Sequence, residues 1–226
     1  MAGGKESIAN ALGNRLSVTR DSIEENMKVA ESVQVDRILA IWNEHLEVAK
    51  TLPTLAATVS SVVDLIYSAM SGGGQLLIAG NGGSAADAQH MAAELTGRFL
   101  REREPFRALA LHPNTSSLTA VGNDYGYEHV FERELRAHAR PGDVLLAIST
   151  SGNSPNVLCA IEAARRAKVA VVGLAGESGG RMRAACDLCI CVPTKSTPRM
   201  QEMHITIIHT ICEFLEERLA GIGNTV

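Results

Sequence analysis

Apolar residues follow two regimes along the chain, and the change falls at the glycine run Gly72 to Gly74. From Glu6 to about Ser71 they recur at helical spacing, as in Val35, Ile38, Leu39, Trp42, Leu46 and Ala49, which predicts a helical N-terminal segment over residues 1–72. Pro53 should start its last helix, running through Leu55, Val59, Val62, Val63, Ile66 and Met70 until Ser71 and the glycines stop it. Beyond the glycines the apolar residues form short runs rich in Val, Ile and Leu: Leu76 to Ala79, Arg107 to Leu111, Asp143 to Ser149, Val169 to Leu174 and Leu188 to Val192. Helical stretches separate them. That alternation predicts an α/β fold over 73–226, with five parallel strands, doubly wound and covered by helices on both faces. A final helix should begin near Pro198 or Arg199 and run to about Leu219, where GIGN ends it. The N-terminal helices carry more apolar surface than one side of a small sheet can cover, so a homotetramer of closed symmetry is expected.

Composition narrows the setting. With 226 residues, 46% of them hydrophobic, the chain can bury a sizeable core as one α/β domain with helical additions. Twenty-one basic residues against twenty-five acidic ones give a net charge of −4, and no basic cluster interleaves with aromatics, so no nucleic-acid partner is expected. The opening MAGGKESIANALGNRLSV has no apolar core of signal-peptide length, and no later run of about 18 apolar residues is apparent. The expected setting is cytoplasmic, with no membrane. Five cysteines (Cys159, Cys186, Cys189, Cys191 and Cys212) should be thiols. Cys186 and Cys189 have the spacing of half a zinc knuckle, but with no second pair their sulfurs read as small apolar packing groups.

Two stretches carry candidate chemistry, and in such sheets ligands bind beyond the carboxyl ends of the strands. In GNGGSAADAQHMAAELTGRF, Gly80 to Phe99, a strand, a glycine turn and a helix follow one another. Ser84 is suited to the N-cap, and the backbone N–H groups of Gly82 to Ala85 would face an anion. His90 and Glu94, four residues apart, share one helix face and can converge on one point. The glycines by themselves are equally consistent with a plain turn, since the P-loop lysine and the GxGxxG spacing are both missing. In ISTSGNSPNV, Ser149, Thr150, Ser151 and Ser154 crowd four hydroxyls round Gly152, with Pro155 at a helix start. Hydroxyls and backbone N–H groups together can satisfy phosphate oxygens without a cation.

GNGGSAADAQH and ISTSGNS resemble the sugar isomerase (SIS) domain, and HMAAELTGRF, VGNDYGYEHVF and PRMQEMHITIIH narrow the resemblance to the phosphoheptose isomerases. The similarity spans about Leu76 to Glu217, and more loosely the N-terminal helices. It implies conversion of sedoheptulose 7-phosphate to D-glycero-D-manno-heptose 7-phosphate, the first step towards activated heptose for surface glycans such as lipopolysaccharide, by a tetramer with one zinc per subunit. Carried over by position, Asn81, Gly82, Gly83, Ser84, Glu94, Asn123, Asp124, Ser149, Thr150, Ser151, Ser154 and Gln201 would hold substrate. His90, Glu94, Gln201 and His209 would hold zinc. Ketose-to-aldose conversion needs a base that moves a proton from C1 to C2 and an acid that moves one between the oxygens, roles that fall to Glu94 and His209. In one respect the chain departs from the pattern: Pro198 precedes Arg199 where some members have an acidic residue.

Gln201 and His209 on one straight helix stand about 12 Å apart along its axis. Either the helix bends at Pro198, or the site draws ligands from more than one chain, with Arg98 reaching a neighbour's phosphate; the composite site is the expectation. Two rival readings stay open at this level. SIS proteins that only sense sugar phosphates or recruit a partner keep the same phosphate loops, and isomerases of shorter sugar phosphates share them too.

Overall fold

The protein's structure is a computed structural model that describes residues 20–112 and 114–221. Its elements in chain order are α1 (Arg20–Ala49), a 3-10 turn at Leu52–Leu55, α2 (Ala56–Ser71), β1 (Leu76–Gly80), α3 (Gly83–Thr96), β2 (Ala108–Ala110) and α4 (Thr115–Tyr125). After a 3-10 turn at Tyr127–His129 come α5 (Val130–His138), β3 (Val144–Ser149), α6 (Pro155–Arg166), β4 (Ala170–Gly176), α7 (Met182–Ala185), β5 (Leu188–Val192) and α8 (Thr197–Leu219). The predicted helical stretch over residues 6–19, the opening judged for a signal peptide, and residues 222–226 of the closing GIGN stretch lie outside the described residues.

All five predicted strands form, every pairing is parallel, and the sheet order is β2-β1-β3-β4-β5. β1 and β3, in the middle, are buried at every position, as continuous apolar runs in a doubly wound sheet must be. One face is covered by α2, α3 and α8, which bring Val62, Ile66, Met91, Leu95, Ile208 and Ile211 against Leu76, Ile78 and Leu146. The other is covered by α5, α6 and α7, where Phe131, Leu135, Ile161 and Met182 meet Leu77, Leu145 and Val171.

The chain divides into two compact units at His45, not at residue 73. The reason is α2, whose Val59, Val62, Val63 and Ile66 belong to the core under the sheet. Of the first unit, the described part is α1 up to Glu44, with Val35, Ile38, Leu39 and Trp42 exposed. Pro53 starts the 3-10 turn before α2, not α2 itself. Within Glu31–Ser71 one stretch is apolar and long enough by composition to cross a membrane, contrary to the sequence expectation. Yet α1 and α2 are separated by the Leu52–Leu55 turn, and α2 buries its apolar stripe in the core, as soluble core helices do. The cysteines are free thiols; Cys212 is buried, and Cys189 Sγ lies 3.7 Å from Cys191 Sγ.

Candidate active site

The site is a strip at the carboxyl ends of β1 and β3, continued between α3 and α8. β1 delivers the chain to Asn81, and α3 starts at Gly83 with Gly82 in the cap position. Ser84 is therefore not the N-cap. It lies in the first turn, buried, and its N–H bonds Asn81 O at 3.0 Å. Ala85 N–H likewise bonds Gly82 O at 3.0 Å, so the candidate donors to an anion narrow to Gly82 and Gly83. A Cβ at Gly83 would stand 2.3 Å from Gln201 Nε2, so any larger residue there would have to displace the Gln201 side chain. The Gln201 amide thus packs directly on this turn.

At the end of β3 the predicted hydroxyls converge. Ser149 Oγ lies 2.9 Å from Ser154 Oγ and 3.5 Å from Ser151 Oγ. Ser154 occupies the cap position of α6 without capping it, its hydroxyl being turned to Ser149. Thr150 anchors the loop by its carbonyl, which accepts from Gly176 N at 3.0 Å. Gly152 has φ +64°, and a Cβ there would strike the backbone Gly179 O at 2.0 Å, so this turn requires glycine. Arg181 N and Met182 N close the loop from the far side through Asn153 Oδ1 and Gly152 O, each at 3.0 Å.

One residue that sequence reasoning missed joins the two loops. Asn156, 3% exposed, donates from Nδ2 to Asn81 Oδ1 at 2.8 Å and accepts from Asn81 Nδ2 at 2.9 Å. Tyr127 adds its hydroxyl to Asn81 Oδ1 at 3.2 Å. The Asn81 side chain, expected from the sequence to hold substrate, makes three hydrogen bonds to this latch and keeps one Nδ2 hydrogen to donate. Asn123 and Asp124 are exposed at the end of α4, and Asn123 Nδ2 donates to Asp124 Oδ1 at 2.8 Å. Arg98, 61% exposed, faces Glu102 at 4.0 Å.

Two turns along α3 from Gly83, His90 and Glu94 meet His209 of α8. His90 Nε2 is 2.9 Å from Glu94 Oε1 and 3.4 Å from His209 Nε2. The two imidazoles meet edge-on, and Phe99 packs on His209 with ring centroids 5.6 Å apart. Among the described residues this is the one group of three His, Cys, Asp or Glu whose ligand atoms all lie within 4.8 Å of one another. Two imidazole nitrogens and a carboxylate are a zinc donor set, and ligands on a tetrahedral ion at zinc distances stand about 3.4 Å apart. The residues present fit that metal. Gln201 is not gathered with them: α8 is unbroken from Thr197, which leaves Gln201 at the anion turn, about 12 Å along the axis from His209. Glu94 and His209 come together within a single chain, which corrects the expected composite site for this pair.

Burial sets the protonation of two neighbouring groups. Asp87, one turn before His90, has a buried Oδ2 with no hydrogen-bond partner. Burial pushes its carboxyl up to about 6, against the pull of the His90 charge. Fully buried His204, held by Ala175 O at 3.2 Å, is pushed down to about 4 by burial, which the carbonyl only partly offsets. It stays neutral and ties α8 to β4.

Comparison with known proteins identifies the family and the fold. The SIS domain model matches residues 43–176. A phosphoheptose isomerase of Rhodospirillum rubrum is 51% identical over 186 residues, 82% of this chain and 99% of that protein. Among solved structures, the phosphoheptose isomerase of Neisseria gonorrhoeae superposes with a TM-score of 0.78 at 40% identity, covering 81% of this chain and 99% of that one. That of Francisella tularensis gives 0.79 at 32% identity, covering 81% and 98%. Sheet order and similarity over four fifths of the chain lead to one conclusion: the chain is a sugar-phosphate isomerase belonging to the phosphoheptose isomerase family of SIS-domain enzymes.

Proposed function

We propose that the chain interconverts sedoheptulose 7-phosphate and D-glycero-D-manno-heptose 7-phosphate through an enediolate, for supply of heptose to surface glycans. The observation that carries the reading is the spacing of the strip. The His90–Glu94–His209 cluster lies about 10 Å along α3 from the anion turn at Gly83, the order of length that separates the phosphate from C1 in an extended seven-carbon sugar phosphate.

In this reading the phosphate sits among the Ser149, Ser151 and Ser154 hydroxyls and the N–H groups of Gly82 and Gly83, with the Gln201 amide beside them. Those loops are fixed before substrate arrives, so little ordering remains to be done on binding. The carbonyl end then reaches the α3–α8 seam. Glu94 takes the proton from C1 and returns it to C2, while His209 passes a proton between O1 and O2. His90, Glu94 and His209 would hold one zinc ion, which as a Lewis acid stabilises negative charge on the oxygens without redox chemistry. A carboxylate that held zinc would be a weaker base, so the Glu94 role as base needs a carboxylate oxygen free for the C1 proton. Phe99, against His209, keeps water from one side of that ring.

A homotetramer in the cytoplasm is proposed with it, supported by the exposed apolar residues Val35, Ile38, Leu39 and Trp42 on α1. The test is incubation of the purified, zinc-supplied protein with sedoheptulose 7-phosphate, followed by NMR for the aldose product. Binding without turnover would point to a sensor or recruiting module, and turnover of shorter sugars alone would point to a different substrate.

A further inference from the structure

We infer that Arg103 and Glu216 form a clamp that sets the register of α8 against α3 and so holds His209 opposite His90 and Glu94. Both are positioning residues, and the inference rests on the reading of that cluster as the reaction centre. Glu216 follows His209 by seven residues, two turns along α8 and on the same face. Its carboxylate, 2% exposed, accepts from Phe99 N at 3.0 Å, Leu100 N at 2.8 Å, Arg101 N at 3.0 Å and Arg103 Nε at 3.1 Å.

Arg103 carries the linkage on to α3. Its guanidinium donates to Glu94 O at 2.7 Å, Leu95 O at 2.8 Å, Gly97 O at 2.9 Å and Glu104 O at 3.2 Å, and lies 3.9 Å over the Phe106 ring. Three of those carbonyls belong to the last turn of α3 and its cap, where the helix no longer supplies donors of its own; Leu95 O also accepts from Phe106 N at 3.0 Å. One is the backbone carbonyl of Glu94 itself. The clamp touches the other side of the site as well, because Phe99, held by Glu216 through its N–H, is the residue whose ring packs on His209.

A buried ion pair contributes little net stability once the loss of hydration is counted, and its best-attested use is to fix register. Here each bond of the pair runs between α8, the end of α3 and the turn that joins α3 to the next strand. A slide of α8 by a fraction of a turn would break the four bonds to Glu216 together, and would also part His209 Nε2 from His90 Nε2.

Glu216→Gln keeps the shape and removes the charge; Arg103→Lys keeps the charge and removes the fork. In each full-length variant the expected result is a kcat lower by about tenfold or more and zinc bound about tenfold more weakly in chelator competition, the range for groups that support a metal ligand. KM should change little, since the anion turns lie at the other end of the strip. Guanidinium ion added to Arg103→Ala should restore part of kcat. Crystal structures of the variants should show the His90–His209 contact opened. Wild-type kcat and zinc affinity in variants that lose only melting temperature would overturn the clamp and leave the site reading intact. Should the wild type itself neither bind zinc nor turn over while the variants still lose the contact, the clamp stands and the site reading falls. If Glu216→Gln fails to fold, Arg103→Lys decides on the same measurements.

Discussion

The two ends of the proposed catalytic strip are built on opposite plans. At the anion end, polar groups are bonded to one another: Ser149 to Ser154, Asn81 to Asn156, Thr150 O to Gly176 N. The donors are fixed by loops springing from β1 and β3, buried at every position, so that end inherits the rigidity of the sheet. At the chemical end, His90, Glu94 and His209 converge from two helices, and Asp87 Oδ2 is left without a partner. Its geometry depends on the register of α8 against α3, which the turn after α3 holds through Glu216. Binding and chemistry should therefore fail separately when the two ends are altered.

The largest expected effect tests that separation directly. Glu94→Gln and His209→Gln should each lower kcat by about 10²- to 10⁴-fold, the contribution of a positioned acid or base. Calorimetric affinity for the sugar phosphate should stay within a few-fold. Joint loss of affinity and turnover would merge the two ends into one functional unit. Mixing the two inactive variants should restore nothing, because both residues stand in one chain's cluster; recovered activity would return Glu94 and His209 to different chains.

The next effect concerns the seam between the ends, where α8 is pinned to β4 by His204. Its folded pKa of about 4 lies below the ordinary value of 6.5, so the unfolded chain binds more protons between those limits. Stability should thus fall as pH drops from about 6.5 towards 4, by up to about 3 kcal/mol for this group, and be unaffected above that window. His204→Asn should show a correspondingly flatter acid slope in urea melts. Parallel slopes for wild type and variant would mean that the imidazole does not stay neutral.

At the anion end, Ser151→Ala and Ser154→Ala should each weaken substrate binding by about 1 to 3 kcal/mol, the worth of a hydrogen bond to a charged group. The readout is KM with kcat nearly constant. Unchanged KM in both variants would place the phosphate elsewhere and leave the convergence of hydroxyls without a ligand.

The same contrast decides what could be read from the sequence. The hydroxyl loop and the glycine turn are contiguous, so their chemistry is visible in nine or ten letters, and all five strands announce themselves as apolar runs. His90 and Glu94 are legible through helical spacing, but their meeting with His209, 119 residues from His90, is a tertiary fact that only family resemblance supplied. Asn156 was missed because its partner Asn81 is 75 residues away, and Arg103 because Glu216 is 113 away. Ser84 was misplaced as the N-cap because local preference favours serine there, whereas the tight turn puts Gly82 in the cap. The boundary at residue 73 failed for a related reason: the glycines mark a change of periodicity, while burial of Val59 and Ile66 makes α2 part of the sheet's own core.

The smallest effect is the most discriminating about the latch. Tyr127 is largely exposed, and its hydroxyl supplies only a third bond to an Asn81 already paired twice with Asn156. Tyr127→Phe should remove a neutral hydrogen bond at the low end of the usual scale, about 0.5 kcal/mol. That corresponds to a KM higher by about twofold with kcat unchanged, if Asn81 serves only to hold the glycine turn in register with the hydroxyl loop. Loss of kcat at constant KM would carry the opposite meaning. Asn81 would then be acting on the reacting carbons, and the division of labour between the two ends would fail at its best-bonded residue.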